Sequence, residues 1–227
     1  MLNVKNTIVE RLLSLVAPHL CCNCGDIGGT FCNNCKNNII NASTDWCVLC
    51  GKSTKTGVCA EHKADFNQAY AVGIREGGLQ RLIGNLKFRN VKEASWDIAD
   101  LIHKRLPRLP STSVFVPIPT TSAHIRERGY DHMLLIALHL SKMRRVPVEK
   151  LLVRRNTLTQ HHANRKDRLQ QAKTAFSIKG NIDSKVMYII LDDVITTGAT
   201  ISEAASLLRS AGAVKIWVVV TSRQPLD

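Results

Sequence analysis

The sequence predicts an α/β domain, a parallel-sheet core with helices on both faces, preceded by a small cysteine-rich module. Three observations carry this. Two continuous apolar runs, residues 186–191 and 214–220, flank a helical segment at 201–211 that stops at Gly212, the pattern of a strand–helix–strand unit in a buried parallel sheet. All eight cysteines lie between Cys21 and Cys59. The 227 residues, 44% of them hydrophobic, suffice for one such domain and a satellite, expected as a helix at 1–18, a metal-binding module at 19–65 and the α/β domain at 66–227.

Taken in order, Ile8, Val9, Leu12, Leu13, Leu15 and Val16 recur at helical spacing and predict an amphipathic helix ending at Pro18. Glu10 and Arg11 interrupt its apolar stretch, and no stretch reaches the ~18 apolar residues of a membrane span. The expectation is a cytoplasmic protein, free or at the inner face of the membrane, with no signal peptide and no membrane span.

In a reducing compartment, closely spaced thiol pairs hold metal rather than form disulfides. The pairs are Cys21 and Cys24, Cys32 and Cys35, Cys47 and Cys50, and Cys59 with His62, each separated by two residues. A two-residue gap lets both side chains reach one ion, so eight ligands predict two tetrahedral, structural zinc sites. Sequential pairing groups the first four ligands and the last four; interleaved pairing stays open at this level. Cys22 is a spare thiol.

Beyond the module, residues 69–74 read as a strand, and Leu79, Leu82, Ile83 and Leu86 as one face of a helix. A second helix at 91–106 stops at Pro107. Residues 113–116 form a short strand closed by Pro117, residues 133–143 are apolar at helical spacing, and 150–153 read as a further strand. Residues 154–173 are polar and without period, which predicts a long mobile loop of functional kind.

The formal net charge of +13 favours anionic partners. Between Lys142 and Arg168 stand nine basic residues against Glu149 and Asp167, a surplus of seven. Arg154, Arg155, Arg165, Lys166 and Arg168 are therefore the candidate nucleic-acid-binding residues, able to bind DNA non-specifically through counterion release.

The strongest chemical signal is Leu191-Asp192-Asp193-Val194-Ile195-Thr196-Thr197-Gly198-Ala199-Thr200. A buried strand delivers two carboxylates at its carboxyl end, where open α/β sheets hold ligands. The turn that follows offers backbone N–H groups, Thr hydroxyls and a helix N-terminus to a phosphate. Asp192 and Asp193 would repel that phosphate, so they suit ribose hydroxyls and the positive charge that develops at an anomeric carbon as a leaving group departs. The chain holds neither GxxxxGK[ST] nor GxGxxG, which argues against a P-loop NTPase and a dinucleotide-binding fold.

This string resembles the 5-phosphoribosyl-1-pyrophosphate (PRPP) signature of type I phosphoribosyltransferases. Further stretches, Leu86-Lys87-Phe88-Arg89, Val116-Pro117-Ile118-Pro119, Arg126-Glu127-Arg128-Gly129-Tyr130, and Thr159-Gln160 followed by Arg168, together with the cysteine pairs, resemble the ComF family of DNA-uptake proteins. The resemblance implies a type I phosphoribosyltransferase fold behind a double zinc finger. It implies Asp192 and Asp193 as catalytic, ribose-holding residues, Val194, Ile195, Thr196, Thr197, Gly198, Ala199 and Thr200 as the PRPP-binding turn, and Lys87, Arg126 and Arg128 as further PRPP-binding cations. Magnesium would accompany PRPP, and residues 154–173 would form a hood.

The implied role lies in natural competence and transformation, as a PRPP-binding protein that handles incoming single-stranded DNA alongside other DNA-uptake proteins. The alternatives are an active phosphoribosyltransferase on an unidentified small-molecule acceptor, and a zinc-dependent scaffold whose PRPP site is regulatory. One departure stands out: Arg128-Gly129-Tyr130-Asp131-His132 replaces the Arg-Gly-Phe-Asn-Gln common in the family. It adds a carboxylate that a pyrophosphate pocket tolerates only if it points away or meets Mg²⁺.

Overall fold

The computed structural model describes residues 20–42, 45–155 and 175–225. The expected N-terminal helix, and all of the expected 154–173 loop beyond its first two residues, lie outside the described residues. The elements in chain order are α1 (Asn33–Ala42), β1 (Gln68–Ile74), α2 (Gly77–Phe88), α3 (Ala94–Arg105), β2 (Ser113–Pro117), α4 (Ser122–Arg128), α5 (His132–Arg144), β3 (Leu152–Arg154), β4 (Phe176–Ile178), β5 (Met187–Ile195), α6 (Ala199–Ser210) and β6 (Lys215–Arg223).

Four strands form a sheet in the order β1-β6-β5-β2, every neighbour parallel. Strand pleating sends alternate residues to opposite faces. Ile189, Leu191 and Val219 join a core with Leu82 and Ile83 of α2, Ile98 and Ile102 of α3, and Ile136 and Leu140 of α5. Tyr188, Ile190, Val218 and Val220 join the other, with Ile201, Ala204 and Leu208 of α6 and Leu152 and Phe176 of the β3–β4 pair. The sheet is thus buried on both faces, which is why its strands are uniformly apolar instead of alternating.

Local signals explain the element ends. The residue before a proline is pushed out of the helical region; Leu106 is extended at φ −78, ψ 136, and α3 ends there. Asp131 caps α5 by accepting from the Leu134 N–H at 3.1 Å. Three differences from the sequence reading follow from weak local patterns. Helix α4 buries no residue, so it shows no apolar period. The expected 150–153 strand is β3, which pairs antiparallel with β4 and stands outside the parallel sheet. Strands β5 and β6 run on to Ile195 and Arg223, which pair with each other, so polar residues 192–193 and 221–223 lie within the ladder.

The cysteine-rich module clasps the β1 edge of the sheet. Ala69 N–H donates to Thr56 O at 2.8 Å, and Gly57 sits so close that a Cβ there would stand 1.7 Å from Ala69 O. Covering an edge strand in this way removes a template for aggregation. Cys21, Cys32 and Cys35 pack into the α2–α3–α5 core, whereas Val48 packs into the opposite one. Buried Lys36 of α1 ties the first half down, with Nζ 2.8 Å from Asp97 Oδ1 and 2.9 Å from Asp100 Oδ2 on α3. Asp100 also lies 3.6 Å from Lys104 Nζ, and Asp97 accepts from the Thr30 hydroxyl, so the two carboxylates share a small network.

Candidate functional site

Near the carboxyl end of β5 the pleat turns the two adjacent carboxylates to opposite faces of the sheet. Asp193 is buried on the α2–α5 side, where its Oδ2 accepts from Lys87 Nζ and from His132 Nε2, each at 2.6 Å. Asp192 lies on the β3 side, and its Oδ1 accepts from the Asp193 N–H at 2.9 Å. Both line a cavity of about 270 Å³ together with Lys87, Thr120, Arg128, His132 and Arg154.

The two carboxyls are driven apart. Burial, followed by the charge of Asp193, pushes Asp192 up to about 7. Burial acts on Asp193 in the same direction, but the His132 hydrogen bond and the Lys87 cation outweigh it and bring that carboxyl down to about 2. The imidazole is oriented in turn. Arg128 Nη1 stands 3.1 Å from His132 Nδ1, and because a guanidinium can only donate, Nδ1 accepts and Nε2–H serves Asp193.

The residues that depart from the family pattern have defined places. Asp131 does not line the cavity: besides capping α5 it accepts from the hydroxyl of Thr120, a lining residue, at 2.8 Å. His132 is the bridge between the Arg128 side of the cavity and Asp193. Tyr130 donates through its hydroxyl to Leu86 O, pinning the α4–α5 junction onto α2.

The turn after β5 exposes Thr196, Thr197 and Thr200, while Ile195 and Gly198 are buried. Gly198 is the N-cap of α6 at φ +79, a left-handed value natural to glycine. A Cβ there would lie 2.3 Å from Leu49 Cδ2, so the Cys47–Cys50 turn of the module rests on this glycine. Arg223 reinforces the contact: its backbone pairs with Ile195, its Nε donates to Val48 O at 3.1 Å, and its guanidinium stands over Trp46, 5.5 Å from the ring centroid. The Ala199 N–H at the start of α6 donates to Thr197 Oγ1 at 3.4 Å, and the opening N–H groups of a helix, which have no intrahelical acceptor, favour an anion nearby.

Of the expected cations, Lys87 and Arg128 line the cavity. Arg126 does not: two positions earlier on α4, about 200° around the helix, it is exposed. Arg154 is no free surface charge, since its Nε donates to Pro119 O at 2.8 Å and its guanidinium stacks on Phe176. Arg155 is exposed. Arg165, Lys166 and Arg168 lie outside the described residues. The sequence reading missed Thr120, His132, Leu49 and Arg223; only His132 carried a signal, as a departure from the family pattern.

The metal ligands fall into two sequential groups, Cys21, Cys24, Cys32 and Cys35, and Cys47, Cys50, Cys59 and His62, with the donor atoms of each within 4.8 Å of one another. Zn–S bonds of ~2.3 Å in a tetrahedron place sulfurs ~3.8 Å apart; the Cys24–Cys32 and Cys50–Cys59 sulfurs are each 3.6 Å apart. His62 Nε2 is buried without a hydrogen-bond partner, as a metal-facing nitrogen would be. Against burial, backbone N–H groups of Cys32, Cys24 and Asn23 bring the Cys21 thiol down to about 6, toward the thiolate a metal requires. Both groups could hold zinc. Cys22 stands apart, its thiol pushed up to about 11 by burial and by Cys21.

No family model matches the chain. Among solved structures, glutamine PRPP amidotransferase from B. subtilis complexed with ADP and GMP is similar over 57% of this chain and 26% of its own, at 17% identity and a TM-score of 0.42. Among curated proteins, competence protein F of Haemophilus influenzae is 29% identical over 202 residues, 82% of this chain and 87% of that protein. DNA utilization protein YhgH of Escherichia coli O6:H1 is 30% identical over 173 residues, 71% of this chain and 75% of that protein. With a parallel α/β core, a double Cys-rich module and relatives matched over most of both chains, the protein belongs to the ComF family of competence and DNA utilization proteins.

Proposed function

We propose that this chain binds PRPP, with magnesium, in the cavity at the carboxyl end of β5 and uses that site in handling incoming single-stranded DNA in the cytoplasm. One observation supports this above the others: two carboxylates held in unlike protonation states next to a hydroxyl-bearing turn, in a cavity that Lys87 and Arg128 also line. In this reading the turn from Thr196 to Thr200 takes the 5-phosphate, Asp192 and Asp193 take the ribose hydroxyls, and Lys87 and Arg128 face the pyrophosphate. Magnesium, bound with the ligand, would neutralise pyrophosphate oxygens and retain most of its waters. The DNA-handling half draws on the relatives, a competence protein and a DNA utilization protein.

The unlike carboxyls favour a second reading, turnover. A nucleophilic acceptor would form a bond to the anomeric carbon as the C1–O bond to pyrophosphate breaks. Asp192 would take the proton the nucleophile sheds, and ionised Asp193 would stabilise the cationic carbon.

Calorimetric titration with PRPP and Mg²⁺ tests the shared core of both readings. Saturable binding is expected for the natural chain and its loss for Asp192→Ala, with oligonucleotide affinity retained; absence of binding to the natural chain refutes the proposal. Pyrophosphate release upon addition of an acceptor separates turnover from binding alone.

A further inference from the structure

A second concavity lies beside the candidate site, on the other side of Phe88. Its volume is about 610 Å³, and its lining includes Arg75, Gln80, Arg81, Asn85, Phe88 and Arg89 but no carboxylate. Arg81 and Asn85 on α2 and Arg89, the residue that caps its C-terminus, are spaced four apart and so form one ridge, a donor every ~6 Å along the helix. Where these guanidiniums are held, the partners are neutral. Arg81 donates to Cys22 O at 2.6 Å and to Asn23 Oδ1 at 2.8 Å, and Arg75 donates to Gln224 Oε1 at 3.2 Å. Among the described residues no carboxylate pairs with Arg75, Arg81 or Arg89. The side chains are oriented but their charge is not cancelled, which concentrates positive potential in the groove.

Phe88 ends the ridge and is 72% exposed, far outside the range of a core phenylalanine. The Arg128 guanidinium stands over its ring, 5.6 Å from the centroid, and the ring lines both the groove and the carboxylate cavity. An unpaired base can stack on such a ring, whereas a base inside a duplex already has neighbours on both faces. The combination of uncancelled arginines in a row and one exposed aromatic at the end of the row matches a phosphodiester backbone with a free base.

We propose that the α2 groove seats a single-stranded nucleic acid, its phosphates on Arg75, Arg81 and Arg89 and one base on Phe88, at the mouth of the Asp192–Asp193 cavity. The strand would then be read at the sugar-phosphate site itself, and the charge run at Arg154 and Arg155 would not be its main seat. This inference rests on the DNA-handling half of the proposed function and gives that half a surface.

Fluorescence anisotropy of a labelled mixed-sequence single-stranded oligonucleotide with the full chain, over a salt series, tests it. Arg81 also fastens the module, so the informative changes are Arg75→Ala, Arg89→Ala and Phe88→Ala. The arginine double variant should flatten the slope of log K against log salt by about 1.4, at ~0.7 per lost contact. Phe88→Ala should weaken binding by about 5- to 100-fold with the slope unchanged, and Phe88→Trp should restore it. Unchanged affinity in these variants, with Arg155→Ala weakening binding instead, overturns the inference and returns the strand to the charge run. A duplex, or a polyglutamate peptide, that competes as well as the single strand also overturns it. Failure of the natural chain to bind any oligonucleotide sinks the DNA-handling reading itself, a distinct outcome.

Discussion

Gly198→Ala tests whether the cysteine-rich module positions the phosphate turn. Two costs are separable. Gly198 is at φ +79, and placing an L-residue in that region costs about 1–2 kcal/mol. Its new Cβ would also stand 2.3 Å from Leu49 Cδ2 and 3.8 Å from Leu49 Cγ, so Leu49 must leave its rotamer well at about 0.5–1.5 kcal/mol. Alanine restricts the unfolded chain, which offsets about 0.4–1 kcal/mol. The net expectation is a loss of about 0.5–3 kcal/mol. Only the second cost depends on Leu49, so Gly198→Ala should be milder by about 0.5–1.5 kcal/mol in a Leu49→Ala background. Urea midpoints of the natural chain, both single variants and the double variant, in zinc-saturated buffer, give the cycle. If the two changes add within about 0.3 kcal/mol, the module does not rest on Gly198 and the coupling is refuted.

Asp192→Asn should change stability with a definite sign against pH. A carboxyl raised to about 7 in the folded chain contributes stability that is full below its unfolded pKa of about 4 and is lost as pH rises through 7. The asparagine variant escapes that loss, so relative to the natural chain it should gain more at pH 8 than at pH 5 in urea unfolding; a gain confined to low pH contradicts the burial of Asp192. Metal removal has an equally direct reading: denatured protein should release two zinc ions per chain into a colorimetric chelator, and Cys59→Ser should release about one, with a lowered melting temperature.

What was legible in the sequence tracks how local the cause is. Strands β5 and β6 are buried on both faces, so their composition alone reports them, and Leu79, Leu82, Ile83 and Leu86 mark α2 by period. The cysteine pairs are local too, since each pair must reach a single ion. Polar helix α4 has no face to betray it, and β4 is three residues paired with a segment more than twenty positions earlier. In the site, Asp192, Asp193 and the turn are contiguous and were readable. Leu49 and Arg223 were not, because their roles arise where the Cys47–Cys50 turn meets residues some 150 or more positions away.

The substitutions at Asp131 and His132 show how the site absorbs a change of charge. The new carboxylate accepts from the Leu134 N–H and from the Thr120 hydroxyl and is not itself part of the cavity lining. The new imidazole carries a proton on Nε2 to Asp193, where an amide of the common family pattern could also donate, but it keeps Nδ1 free to accept from Arg128. Arg128, which lines the cavity, is thereby held by His132, itself bonded to Asp193. A buried carboxylate with Lys87 and this imidazole stays ionised, and that fixed negative charge is one of the two causes holding its neighbour Asp192 near 7. Pairs of titratable groups pushed apart in this manner mark where one fixed charge and one proton carrier are needed together. On the turnover reading, this pair would offer a developing cation a fixed counter-charge and an incoming nucleophile a proton acceptor, the two requirements of displacement at an anomeric carbon.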